Sequence, residues 1–206
     1  MYHIGMTNRF IARPLSYSQL SSFEWSPDEW YASYILGRRE PPNDAMLLGT
    51  KIGDSIGTPK SLVPTLTPPG VKEYEMRASL GDIHMVGYAD HYCVASKVLH
   101  ENKTTDKPGK WTQDSVDKHK QLDMYALLLW LQDKTPPHEV EMFLNYIPVE
   151  RKGVTLRLPA QPVYYQFPTY RTRLQVAQYA SYVKKTVKEM DKYIKARKAL
   201  GGLKYG

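Results

Sequence analysis

Cysteine is the least frequent residue in this 206-residue chain, occurring only at Cys93, so no internal disulfide framework can form. One thiol also falls short of the set of thiolates that a self-contained iron–sulfur cluster requires. No run approaches the roughly 20 apolar residues of a membrane span. The N-terminus lacks the apolar core of a secretory leader. Acids are missing before Glu24, while Arg9 and Arg13 are present, which leaves an organelle transit segment open. The lone thiol fits a reducing compartment, and the expectation is a cytoplasmic protein. No internal repeat is visible.

What is present suits one domain. At 42% hydrophobic content the chain is long enough to bury a real core. A formal charge of +7 favours a polyanionic partner without naming it.

The chemistry concentrates between Val86 and Thr105, VGYADHYCVASKVLHENKTT. Two β-rich runs, Met85 to Val94 and Lys97 to Thr104, flank the polar turn Ala95-Ser96 and predict a hairpin. Asp90 lies on one strand and Glu101-Asn102-Lys103 on the next. Two acids on neighbouring strands repel unless something positive sits between them, and a hard divalent cation with oxygen ligands meets that need. Lys103, two residues after Glu101, shares its face of the strand. The pattern points to metal-assisted attack of water on a phosphodiester. The alternative is a solvated hairpin face, against which stand the apolar neighbours Val86, Tyr92, Val94, Val98 and Leu99, because unpaired charge is costly to bury.

Downstream, KHKQLDMYALLLWLQ over Lys118 to Gln132 places Leu122, Tyr125, Ala126, Leu129 and Trp130 at helical spacing. Gln121 and Tyr125, at i and i+4, share a face. An Asp, then Glu-X-Lys about ten residues on, then a helix opening Gln-X-X-X-Tyr, resembles the RecB-like branch of the PD-(D/E)XK nuclease superfamily. The opening LSYSQLSSFEWSPDEWYASYILG is similar to the same branch: a Ser-X-Ser helix, then Cys-Pro, then an aromatic-rich helix. Here Ser26 replaces the cysteine before the proline, which points to a cluster-free member. Related nucleases carry Gly-X-X-X-His in the segment that here reads LLGTKIGDSI. This chain has Gly53 at the histidine position and Asp54 one residue later, so either Asp54 supplies an oxygen ligand or water replaces it.

In chain order, residues 1–14 read as an irregular arm, and a capping box Ser16…Gln19 opens a helix with Leu20, Phe23 and Trp25 on its apolar side. Pro27 starts a second helix, its Asp28 and Glu29 favoured by the helix dipole, and Gly37 ends it. Residues 38–46 are a loop, and Leu47 to Ile56 a helix entry in which Gly49 allows close backbone approach. Four prolines make residues 57–70 an exposed connection. Val71 to Leu80 begins a three-stranded meander, with Glu73 or Glu75 facing the site or solvent, and Gly81-Asp82 turns it. Lysines at 103, 107, 110, 118 and 120 surround Trp111, a pattern of base stacking beside phosphate contacts, or equally of a solvated loop. His138 to Pro148 reads as a buried strand with Gly153 to Leu158 as its hairpin partner. The tail, Arg171 to Leu200, is a long amphipathic helix with Leu174, Ala177, Ala180, Val183, Val187, Met190 and Ile194 on one stripe and lysines on the other face.

The expected architecture is α/β: one domain over 1–206 with a PD-(D/E)XK restriction-endonuclease-like core, a central mixed β-sheet flanked by helices, the resemblance covering most of 15–150. The resemblance implies a deoxyribonuclease using Mg²⁺ or Mn²⁺ and no iron–sulfur cluster. Asp90, Glu101 and the Asn102 backbone carbonyl hold the metal, with Asp54 as a further candidate. Lys103 orients water or offsets phosphate charge, and Gln121 hydrogen-bonds a phosphate or Lys103. Tyr125, Lys107, Lys110, Trp111, Lys118 and Lys120 are the candidate DNA contacts, with core packing the alternative for Tyr125. By analogy with short RecB-like proteins of viral or phage recombination, repair and replication, the expected partner is linear DNA and the activity exonucleolytic. A non-catalytic DNA-binding module and a restriction-like endonuclease are the alternatives.

Overall fold

A computed structural model of the chain describes residues 13–38 and 40–202; most of the arm expected over 1–14 lies outside the described residues. A five-stranded mixed sheet runs through the centre, flanked by helices, as the α/β expectation required. Its strands are β1 (Val71–Leu80), β2 (Ile83–Cys93), β3 (Val98–Thr105), β4 (Glu141–Pro148) and β7 (Tyr165–Thr169), neighbours in that order. The turn Gly81-Asp82, with Gly81 at φ 64°, sets β1 on β2 from Leu80↔Ile83 out to Val71↔Tyr92. β3 and β4 pair in parallel, which obliges the chain to cross the sheet between them.

That crossover is a short helix, α4 (Gln113–Asp117), followed by α5 (Lys120–Asp133). Leu122 and every residue from Met124 to Leu129 are buried, so α5 is enclosed by the sheet on one side and the C-terminal helix α6 (Arg173–Gly202) on the other. Gly87 makes this seat possible. A Cβ there would stand 2.7 Å from Leu128 Cδ1 and 3.1 Å from a Tyr125 ring carbon, so only glycine lets α5 settle onto β2.

At the N-terminal end, Ser16 caps α1 (Tyr17–Trp25), accepting from the Gln19 N–H, but the reciprocal half of the capping box is absent; Gln19 Nε2 donates to the Pro14 carbonyl. Leu20 and Phe23 enter the core while Trp25 is 85% exposed, unlike the expected apolar face. Pro27 opens α2 (Pro27–Trp30), which runs into a π-helical turn at Tyr31–Ile35. Helix α3 (Asp44–Ser55) starts earlier than expected, capped by Asn43 accepting from the Met46 N–H, and packs on the opposite sheet face from α5.

Several further expectations are corrected. The proline-rich stretch 57–70 is an irregular connection exposed at most positions, as expected, but it is anchored: Val63 and Leu66 are buried with Ile52, Ile56, Ile147 and Val149 in a second, smaller core. Gly153 to Leu158 does not pair with β4. Instead β5 (Glu150–Lys152) and β6 (Thr155–Arg157) form their own hairpin, and β7 takes the edge beside β4. On α6 the buried stripe is Val176, Tyr179, Val183, Val187, Met190 and Ile194, leaving Leu174 and Ala177 exposed. Arg171, wholly buried, fixes that rotation. Its guanidinium pairs with Asp123 and donates to Thr169 Oγ1 and the Val116 and His119 carbonyls, clamping the start of α6 to the α4–α5 junction.

Candidate active site

β2 and β3 pair only at His91↔His100, Tyr92↔Leu99 and Cys93↔Val98. Beyond that point β2 stays with β1 and β3 with β4, so the two strands part at Asp90 and Glu101. A fork in a sheet strands backbone groups that must find other partners. The Asn102 N–H, deprived of a β2 carbonyl, donates to Asp90 Oδ2 at 2.5 Å. Since the N–H and C=O of one strand residue point to the same side, the Asn102 carbonyl faces the fork as well.

Glu101 is 3% exposed, and its two oxygens are held separately. Oε1 accepts from the Lys103 ammonium at 2.5 Å. Oε2 lies 3.1 Å from the Tyr125 hydroxyl, which donates to the Tyr88 carbonyl at 2.6 Å and receives a hydrogen bond from Gln121 Nε2 at 2.6 Å. Gln121 and Tyr125 therefore brace Glu101 from beneath the sheet, where Gly87 has let the helix approach.

A cavity of about 430 Å³ opens over the fork, walled by α3 and floored by Asp90, Glu101, Asn102, Lys103 and Thr104. Gly49 gives α3 its close approach, since a Cβ there would be 3.3 Å from Thr104 Oγ1. Asp54 and Glu73 line the same cavity. Glu73 sits across from Asp90, between the pairs Lys72↔His91 and Tyr74↔Ala89, with a left-handed backbone at φ 51° that breaks the ladder there. A non-glycine residue in that region is strained by about 1 kcal/mol or more, and such strain gathers at functional sites. The turn arithmetic that places residue 73 opposite residue 90 is readable from the sequence; the left-handed backbone is not. Lys72 Nζ donates to the Asp54 carbonyl at 2.6 Å, tying β1 to α3 at the cavity wall.

Electrostatics mark the site as short of positive charge. Burial, then the neighbouring Glu101, pushes the Asp90 carboxyl up to about 8, against the opposing pull of the Asn102 N–H and Lys103. Burial also raises Glu73, opposed by Lys72 and reinforced by Asp54 and Glu101. Burial alone would depress the Lys103 ammonium, but its contact with Glu101 and the charge of Asp90 outweigh that and raise it. Burial, with Lys103, Arg171 and Lys110 adding to it, takes His119 down to about 4, so this imidazole is neutral.

Among the described residues, no three His, Cys, Asp or Glu side chains already stand as a metal cage. The donors that do converge are all oxygen: Asp90, Glu101 and the Asn102 carbonyl. Mg²⁺ keeps several waters and takes one or two carboxylates rather than a closed protein cage, so this set fits it, and a cation would offset both the burial and the Glu101 repulsion that lift Asp90.

The other anticipated contacts are dispersed. Trp111 is half-buried, its ring 5.0 Å from that of His119 and covered by Lys110 at 5.7 Å. Lys118 is exposed and pairs with Asp114, and Lys120 pairs with Glu24 over the Tyr182 ring. Lys107 is exposed on the loop after β3. A second cavity of about 510 Å³ between α1 and α3 has Arg38 among Glu29 and Glu40 but no acid pair joined to a lysine.

No family model matches the chain, and no curated protein does. Among solved structures, the phage-related exonuclease from Haemophilus somnus 129PT is 15% identical, with 85% of this chain and 78% of that chain covered at a TM-score of 0.48. LHK-Exo, crystallised in complex with dAMP, is 14% identical over 95% of this chain and 96% of that one, also at 0.48. A protein from Eubacterium rectale assigned as an exonuclease is 11% identical and superposes on 97% of this chain and 86% of its own with a TM-score of 0.56, so the two share a fold.

Proposed function

We propose that this protein is a metal-dependent deoxyribonuclease that removes nucleotides from the ends of linear DNA, in the setting of viral or phage recombination, repair or replication. The observation that carries the reading is the convergence of Asp90, Glu101 and Lys103 at the sheet fork, in a cavity lined by further acids. The fold shared with a protein assigned as an exonuclease supports it.

Asp90, Glu101 and the Asn102 carbonyl would hold Mg²⁺ or Mn²⁺, with Asp54 at the cavity wall as a further oxygen donor. When bound, the ion polarises a phosphoryl oxygen and makes water more acidic. Lys103, kept cationic by Glu101, is placed to offset the charge that grows on the phosphate in the transition state. Tyr125 and Gln121 fix the Glu101 carboxylate, so little reorganisation is needed during reaction. Helix α3 forms one wall of the cavity over these groups.

The test is digestion of end-labelled linear DNA with Mg²⁺ or Mn²⁺ and with chelator. Asp90→Ala, Glu101→Ala and Lys103→Ala should each abolish turnover while the circular dichroism of the fold is retained. Salt-sensitive binding without turnover in the wild type would establish a non-catalytic DNA-binding protein instead, and cutting of closed circles into discrete products would establish an endonuclease.

A further inference from the structure

On the cavity side of the sheet three carboxamides stand in a row across neighbouring strands: Asn102 on β3, Asn145 opposite it on β4, and Gln166 opposite that on β7. Gln166 Nε2 donates to Asn145 Oδ1 at 3.0 Å, and Asn145 Nδ2 donates to Asn102 Oδ1 at 2.8 Å. The orientation of each amide is thereby passed to the next. Asn145 is fully buried, and its Nδ2 also lies 3.3 Å from His100 Nδ1, so its nitrogen end is held toward β3. With its oxygen engaged, Asn102 must turn its nitrogen the other way. That Nδ2 is buried and has no acceptor among the described residues, although Asn102 lines the cavity over Asp90 and Glu101. A buried donor left open costs about 1–3 kcal/mol and calls for a reason.

We infer that the Asn102 side chain is a substrate-binding group, whose Nδ2–H donates to a non-bridging phosphoryl oxygen of the DNA strand in the cavity, and that Asn145 and Gln166 are positioning residues that fix which end of the amide faces the strand. The inference rests on DNA being the ligand. Phosphate is the class of acceptor that suits the position. A carboxylate ligand would meet Asp90, Glu101 and Glu73 with nothing to gain, whereas a DNA strand presents two free oxygens at every phosphodiester, one of which Asn102 can address. Asn102 thus acts through both its parts: the backbone N–H grips Asp90 and the side chain addresses the strand.

The experiment uses the full chain and a fluorescein-labelled oligodeoxynucleotide with ordinary phosphodiester linkages, followed by anisotropy in chelator, where the proposed metal-dependent cleavage is blocked. Asn102→Asp keeps the shape and exchanges the donor for an acceptor, and should weaken binding roughly tenfold or more, in line with the loss of a hydrogen bond to a charged group. Asn145→Leu, which frees the Asn102 amide to rotate, should show a smaller loss of affinity in the same titration, and in a separate assay of linear DNA cleavage with Mn²⁺ it should raise KM more than it lowers kcat. Because Asn102→Asp could disturb the fold, a second reading is taken on the wild type: the side-chain ¹H–¹⁵N pair of Asn102 should shift on titration with the same oligonucleotide. An unmoved amide signal, or a folded Asn102→Asp protein with wild-type affinity, overturns the inference alone. Failure of the wild type to bind the oligonucleotide at all defeats the DNA reading together with it.

Discussion

Replacing Asp90 by Asn should make the metal-free protein more stable and abolish its activity. In the folded state burial and Glu101 raise the Asp90 carboxyl to about 8, well above its ordinary 3.8. The folded protein therefore holds a proton that the unfolded chain has already released between about pH 4 and pH 8. A raised acid contributes stability that is fully present below the unfolded value and is lost as pH climbs toward the folded one. The loss amounts to at most about 1.4 kcal/mol per pH unit across that window. For a chain of this length about 1 kcal/mol moves Tm by roughly 2–4 °C, so the wild type in chelator should lose roughly 3–6 °C per pH unit between pH 5 and 7. Asp90→Asn carries an uncharged amide whose oxygen still accepts from the Asn102 N–H, and its Tm profile should be flatter by that slope. Adding Mn²⁺ at pH 7.5 should raise Tm in the wild type and leave the variant unmoved. The assay is differential scanning calorimetry from pH 5 to 8 with chelator or Mn²⁺. Parallel slopes for the two proteins in chelator would refute the view that Asp90 takes up a proton on folding.

Tyr125→Phe removes the hydroxyl beside Glu101 Oε2 and the bond to the Tyr88 carbonyl, and should cost about 1–3 kcal/mol of stability with activity reduced roughly tenfold, read by denaturant unfolding and single-turnover cleavage. Glu73→Gly relieves the left-handed backbone at φ 51° and should stabilise the fold by about 1 kcal/mol in urea while lowering Mn²⁺ affinity by calorimetry; destabilisation would show that the strain argument fails. Arg171→Met leaves Asp123 buried without its partner and should cost about 3–5 kcal/mol, detected as a fall in Tm with no specific change in KM.

Much of the site follows from strand arithmetic. The period of two puts Glu101 and Lys103 on one face, where they form an ion pair, and Gln121 meets Tyr125 at i+4. The turn at Gly81-Asp82 implies that residue 73 stands opposite residue 90, though nothing in a glutamate signals a positive φ. The fork itself is hidden, because it depends on where β2 leaves β3 while still following β1, with β4 lying along the other edge of β3 for its whole length, and no local pattern in the hairpin signals that. The same non-locality misled the reading of Gly153 to Leu158: proximity in sequence suggested a partner for β4, but β3 and β7 had taken both its edges. Four prolines in residues 57–70 signalled exposure, which most of the stretch shows, yet a turn closed by the Leu66 N–H on the Val63 carbonyl brings those two side chains inward, which composition does not signal. On α6 the first apolar residue, Leu174, set the expected stripe, whereas the Arg171 clamp rotates the helix so that Val176 and Tyr179 face the core.

The parallel pairing of β3 with β4 has a consequence for when this molecule becomes competent. Glu101 is synthesised early, but the brace beneath it arrives with Tyr125, and the strand that covers the outer edge of β3 ends only at Pro148. The buried carboxylate therefore gains its hydroxyl support and its outer strand only after the hairpin has been made, so the pocket is assembled late in synthesis.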